Sequence, residues 1–280
     1  MTRWREVQWV ARTGSTNADL IAAAHAGAAP GLVRIADHQD SGRGRRGRGW
    51  RTDAGSGLAI SALLRPDPQT LPTHQWPWIP LLAGVAVIDA VETLRASRGA
   101  PARLKWPNDV LLDGRKLAGI LVEHVDVSPS PLMVVGIGIN VGMNVGLPAE
   151  TTDSAALVLD ADEQRQALVD GVLWALAARW QQLEYDGAAP VHADYLARCD
   201  TIGRRVRVQL PSDRGDEGGG GEVMLTGVAT SVRLDGCLLV REDQQDGTPE
   251  EDVALSAGDV VHLRRVEGDD APPDGADTDA

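Results

Sequence analysis

With 280 residues and 43% hydrophobic content, the chain can build one large domain and a smaller one. A formal net charge of -13 excludes general nucleic-acid binding as the default role, since that affinity comes largely from neutralising phosphates. With no apolar run near the roughly 20 residues a bilayer needs, no secretory pattern and only Cys199 and Cys237, a soluble protein of a reducing, cytoplasmic compartment is expected.

In chain order, Val7 to Arg12 reads as a short strand, followed by Ser15-Thr16-Asn17 before an alanine-rich helix from Ala18 to Ala24. Ser15 or Thr16 suits the N-cap, and Asp19 suits the first turn. The surplus hydroxyl and amide groups allow a second use, as hydrogen-bond partners of a small polar ligand. Gly27 to Gly31 breaks the helix, and Leu32 to Asp37 alternates like a strand.

That strand feeds SGRGRRGRGW, Ser41 to Trp50, with four arginines set among four glycines. Its cations repel and its glycines give the backbone little conformational preference, so it is a poor structural element. It reads as a solvated or RNA-touching tract, or as a clamp whose guanidiniums grip phosphate or carboxylate in bidentate fashion. It is no Walker A loop, because it lacks the Gly-Lys-Ser/Thr ending, and no strand-to-helix turn follows for a Rossmann fingerprint.

Gly57 to Leu64 reads as a strand ended by Pro66 and Pro68, and Trp78 to Ser97 as a strong helix with Leu81, Val85, Ile88, Val91 and Leu94 on its buried side. Arg103 to Trp106 is a short extended piece halted by Pro107. Val110 to Leu112, a turn at Asp113-Gly114 and Lys116 to Val122 make a β-hairpin. Here Lys116 is either an exposed turn residue or a catalytic cation, and Gly119 either a bulge or a place where a flat ligand presses on the sheet. Leu132 to Val141 is a buried strand whose Gly136 and Gly138 signal close approach of a ligand or of neighbouring backbone. Glu163 to Tyr185 and Val191 to Arg198 are helices.

From Thr201 the texture changes to short strands at 205–210, 222–232, 236–241 and 260–265, the signature of a small β-barrel or sandwich. Ser212 to Glu222 reads as a charged hairpin loop, and Glu267 to Ala280, acidic and rich in Pro, Gly and Asp, as disordered. The organisation expected is therefore residues 1–200, 201–266 and a tail of 267–280.

Taken together and in order, GRGRRGRGW, KWPNDVLLDGRKLAGILVE and VVGIGINV closely resemble the biotin protein ligases, as do Ser15-Thr16-Asn17 and the β-rich end. Lipoate ligases and octanoyltransferases share the fold but not the arginine–glycine loop. The resemblance implies an α+β fold, with a mixed, largely antiparallel sheet flanked by helices, like class II aminoacyl-tRNA synthetases, then an SH3-like barrel. It implies a ligase with ATP, biotin and Mg²⁺ (the metal carried mainly by ATP phosphates) that acts on a biotin carboxyl carrier domain through a biotinoyl-adenylate.

By the same resemblance Lys116, Arg45 and Asp109 are catalytic. Ser15, Thr16, Asn17, Gln39, Arg43, Gly44, Arg45, Lys116, Gly119, Leu121, Gly136 and Gly138 surround biotin, the glycines making room for its fused rings. Arg45, Arg48, Trp50, Asn108, Lys116 and Asn140 are expected on the nucleotide side, with Trp50 near adenine. Some members carry an N-terminal winged helix and act as repressors. The few residues before Ser15 leave no room for one, so no direct DNA binding and no membrane partner are expected.

Overall fold

The computed structural model describes residues 4–52, 55–96, 99–142, 154–159, 161–210, 223–243, 252–256 and 259–263. Its order is β1 (Glu6–Thr13), α1 (Thr16–His25), β2 (Leu32–Arg43), β3 (Gly49–Thr52), β4 (Gly57–Leu64), α2 (Trp78–Arg95), β5 (Arg103–Lys105), β6 (Asp109–Leu112), β7 (Arg115–Val125) and β8 (Leu132–Gly142). There follow β9 (Leu157–Val158), α3 (Asp162–Asp186), α4 (Ala188–Arg198), β10 (Arg205–Leu210), β11 (Val223–Val232), β12 (Leu238–Glu242), β13 (Asp252–Leu255) and β14 (Asp259–His262).

The first nine strands form one mixed sheet in the order β1-β2-β4-β8-β7-β6-β5, with β3 on β2 and β9 on β8. Among the described strands of this sheet, β1/β2 and β8/β9 pair in parallel and the other pairs are antiparallel. Strand alternation divides the sheet's two faces. Leu58, Ile60 and Ala62 of β4, with Val135, Ile137 and Ile139 of β8 and Ala118 and Ile120 of β7, join the large core under α2, α3 and α4. On the other face α1 covers only one end, where Leu20 and Ala24 pack on Leu63, Val125, Leu132 and Val134. The rest of that face carries Ala59 and Ser61, Gly136 and Gly138, and Gly119 and Leu121. The register aligns these residues across three strands, Ser61 beside Gly136 and Gly138 beside Gly119. Because α1 stops short, a floor of small residues is left open.

The arginine–glycine stretch is better structured than its composition suggests. β2 runs on to Arg43, a single 3-10 turn spans Arg45–Gly47, and β3 returns, pairing Gly42 with Trp50 and Arg43 with Gly49. Its charges are parted: Arg43 reaches Glu123 and Arg45 reaches Asn108, while Arg46 reaches the backbone of Gln209.

The C-terminal strands form a second, antiparallel sheet in the order β13-β12-β11-β10-β14. A closed barrel was expected, but among the described residues the two end strands, β13 and β14, do not pair and the sheet is open. β13, short and lying in acidic sequence, has no apolar alternation to announce it. The sheet nevertheless shares the main core through residues such as Val206, Val208, Leu238 and Val240. Trp78 and Trp106 donate indole N–H bonds to the Leu234 and Gly236 carbonyls at 2.6 and 3.1 Å. In a chain without phenylalanine, tryptophan supplies much of the core's aromatic bulk: Trp78, Trp106 and Trp180 are all fully buried. Cys199 and Cys237 are both free. The 212–222 loop and the 267–280 tail both fall outside the described residues.

Where the two sheets meet, Thr201 Oγ1 accepts the Trp106 N–H at 3.0 Å and lies 3.1 Å from His262 Nε2. The Asp200 carboxylate, 3.8 Å from Nδ1, favours the neutral tautomer protonated there, which leaves Nε2 to accept the Thr201 hydroxyl proton. Burial, helped by Lys105 and Arg204 and opposed by Asp200, lowers the His262 pKa from 6.5 to about 4. The folded state thus takes up this proton later than the unfolded chain does. Its contribution is complete above the unfolded value near pH 6.5 and is lost as pH falls towards about 4. The urea midpoint should fall between about pH 7.5 and about pH 5, and His262→Gln should flatten that fall. An equally steep fall in the variant would place its origin in other groups.

Candidate active site

A cavity of ≈ 150 Å³ opens on the floor of small residues. Ser15, Thr16, Asn17 and Gln39 wall one end, and Arg43, Gly44, Arg45, Arg48 and Trp50 from the hairpin close over it. Asn108, Lys116, Gly119, Leu121, Gly136 and Gly138 complete the lining predicted from sequence. Ile120, inside the expected Gly119 to Leu121 stretch, lines it too, and Gly49, Ala59 and Ile137 do so without having been predicted.

The first wall is built at the start of α1. Ser15 caps the helix, its side chain accepting the Ala18 N–H at 3.4 Å, and this turns Thr16 and Asn17 inward. Gln39 Oε1 accepts the Thr16 N–H at 2.8 Å, and the Thr16 hydroxyl lies 3.1 Å from the same oxygen. Asn17 donates from Nδ2 to the Leu121 carbonyl at 3.3 Å and to Glu123 Oε2 at 2.7 Å. Ser61 Oγ lies 2.6 Å from Asn17 Oδ1 and 2.7 Å from Thr16 Oγ1. An amide oxygen only accepts, so the single Ser61 proton goes to Asn17, and Thr16 acts as donor towards Ser61 or Gln39. Both Asn17 amide protons are then committed within the protein. What Asn17 can still offer a ligand is a lone pair on Oδ1, an acceptor for a donor group such as an amide or ureido N–H. Ser61 and Glu123 set that polarity. Ser61 could have been noticed as a lone hydroxyl inside the apolar strand GLAISALL; nothing local marks Glu123.

The second wall is cationic. Lys116 Nζ lies 2.7 Å from Asp109 Oδ1 and 5.5 Å from the Trp50 ring centre, within range of a cation–π contact. Arg45 donates to Asn108 Oδ1 at 3.3 Å, and Asn108 donates from Nδ2 to the Ile120 carbonyl at 2.9 Å. Asp109 and Asn140 stand behind the lining. Asn140 spends its Nδ2 protons on the Lys116 and Ala155 carbonyls, both at 3.1 Å, and so fixes the backbone that carries the lysine.

The glycines that line the cavity also admit two of the protein's own side chains close to the floor. A Cβ at Gly138 would fall 2.3 Å from Trp50 Cε2, and one at Gly136 2.1 Å from Asn17 Oδ1. The β2–β3 pairing lays the indole over the floor, a tertiary placement that residue types alone do not reveal. Among the described residues no three His, Cys, Asp or Glu side chains converge as a metal site.

The chemistry of this arrangement is that of a cationic end, able to neutralise a carboxylate meeting a phosphate, beside a neutral hydrogen-bonding end for a small polar head group. Residues 9–140 match the model of the biotin/lipoate A/B protein ligase family. The biotin–[acetyl-CoA-carboxylase] ligase of Mycobacterium tuberculosis is 43% identical over 93% of this chain and 90% of its own length. The bifunctional ligase/repressor of Bacillus subtilis is 32% identical over 64% of this chain, which spans only 55% of that relative. Among solved structures, the biotin protein ligase of Aquifex aeolicus in complex with biotin and ATP matches with a TM-score of 0.70 and 25% identity, over 92% of this chain and 100% of that one.

Proposed function

The chain belongs to the biotin protein ligases of the biotin/lipoate A/B protein ligase family, and on that premise we propose that it activates biotin with ATP and transfers it to one lysine of a biotin carboxyl carrier domain. The observation that carries the proposal is the two-ended cavity, with Thr16, Asn17 and Gln39 at one end and Lys116, Arg45 and Asn108 at the other.

In the first step a biotin carboxylate oxygen attacks the α-phosphorus of ATP. The bond from that phosphorus to the oxygen bridging to the β-phosphate breaks, and pyrophosphate leaves with the electron pair. Two anions must meet, so Lys116 and Arg45 stabilise the charge that gathers between them. Asp109 keeps Lys116 aimed, and Asn108 aims Arg45. In the second step the carrier lysine's neutral amine attacks the acyl carbon, the acyl–phosphate oxygen bond breaks, AMP leaves, and the amine loses a proton. Arginine suits the hold on the intermediate, because it stays charged and does not compete as a nucleophile.

The bicyclic ureido head lies against Thr16, Asn17 and Gln39, where the Asn17 acceptor meets a ureido N–H. Trp50, beside Lys116, is the ring offered to the adenine side. Mg²⁺ arrives with the ATP phosphates, whose oxygens are its natural ligands. No helix among the described residues is long and apolar enough to cross a membrane, and the reaction's need for ATP goes with a cytoplasmic site.

With a cognate carrier fragment, label should pass from biotin to protein only in the presence of ATP and Mg²⁺, and excess biotin but not lipoate should compete. No transfer would sink the reading, and competition by lipoate would move the protein to the lipoate branch of its family.

A further inference from the structure

The C-terminal sheet holds the site at two points that the reaction above does not use. One is the corner between β5 and β6. There Asn108, which receives Arg45, lines the cavity, and Asp109, just behind the lining, pairs with Lys116. On the corner's opposite side Trp106 is tied twice to the C-terminal part of the chain. Its backbone N–H goes to Thr201 Oγ1 at 3.0 Å, and its indole N–H goes to the Gly236 carbonyl at 3.1 Å. Thr201 is fully buried, and the adjacent Asp200 N–H donates to the Leu104 carbonyl at 2.7 Å.

The other point is Arg46. It sits in the hairpin turn with a left-handed φ of 54°, and its side chain leaves the cavity to donate to the Gln209 carbonyl of β10 at 3.2 Å. Arg45 and Arg46 are neighbours, so the ties close a ring. The ring runs from β10 through Arg46 and Arg45 to Asn108, across the corner to Trp106, and by Thr201 back to the chain that enters β10.

We infer that Thr201 is a positioning residue for adenylate formation: from outside the cavity its hydroxyl, together with the Arg46 tie, fixes the corner that aims Asn108 and Asp109. This rests on the adenylation reading. The effect should fall on the cationic end alone. The head-group end is built from α1, β2, β4 and the middle of β7, none of which Thr201 touches through a hydrogen bond.

Thr201→Val removes the hydroxyl and keeps the shape, while Thr201→Ser keeps the hydroxyl. Pyrophosphate release is followed with biotin and ATP but no carrier, alongside the melting temperature. Thr201→Val should slow release about tenfold and raise the KM for ATP, with the KM for biotin within about twofold, and Thr201→Ser should restore the rate. A wild-type rate in Thr201→Val overturns the inference, as does an equal loss for biotin and ATP or a failure of serine to rescue. Should Thr201→Val prove too unstable, Arg46→Gln, at an exposed side chain, is read in the same assay. Slower release at an unchanged melting temperature supports the ring, and an unchanged rate overturns it. Wild-type protein that releases no pyrophosphate overturns the adenylation reading itself, a result distinct from a normal wild type with an unaffected Thr201→Val.

Discussion

Lys116→Ala should slow pyrophosphate release from biotin and ATP by about 10²- to 10³-fold, the loss seen when one preorganised stabiliser of developing charge is removed. The two reacting groups are both anionic, and Lys116 Nζ is the ammonium placed at their meeting point. Its position is fixed from several directions: Asp109 at 2.7 Å, the Trp50 face at 5.5 Å, and a backbone carbonyl held by Asn140 Nδ2 and the Ala155 N–H. The side chain is 34% exposed, so its loss should leave the fold nearly intact, within about 0.5 kcal/mol. Lys116→Arg keeps the charge but spreads it over a wider, planar group, and should recover only part of the rate. A Lys116→Ala protein that releases pyrophosphate within about tenfold of wild type would show that Arg45 and Arg48 supply the charge and that Lys116 is a turn residue after all.

The roles in this site were legible only through the family resemblance, since the residues alone left Lys116 open between turn and cation; what they did show was local placement. A capped helix start puts Ser15, Thr16 and Asn17 together, and a hairpin turn at Asp113-Gly114 sets Lys116 at a strand's beginning. The long elements were legible because apolar alternation and helical periodicity are strong over eight or more residues, as in β4 and α2. What escaped is what long-range packing decides. β3 has no alternation of its own and exists because β2 offers it an edge, while β9 is two residues completed by β8. The glycines at 119, 136 and 138 announced that something approaches the sheet; only the assembled fold shows that Trp50 and Asn17 are what approaches. Arg46 looks identical in type to Arg45, yet a left-handed turn sends one side chain towards Gln209 and the other towards Asn108.

Gly136→Ala should raise the KM for biotin by about 10²-fold, the cost of misplacing a binding group by about an ångström, with the KM for ATP within about threefold. Gly136 lies in β8 between Ser61 of β4 and Leu121 of β7, so the strand is held on both edges and cannot retreat. A Cβ there would fall 2.1, 2.7 and 2.8 Å from Oδ1, Cγ and Nδ2 of Asn17, against the whole amide group. The amide must move, and with it go the bonds to Ser61, Leu121 and Glu123 that fix which atom faces the cavity. Asn17→Ala removes the same amide without crowding, so it should show a similar biotin defect. The double variant decides the cause. If the clash with Asn17 is the whole effect, adding Gly136→Ala to Asn17→Ala costs almost nothing further, a strongly non-additive cycle. If the two losses add, the alanine methyl reaches the ligand directly, and the floor at Gly136 belongs to biotin as much as to Asn17.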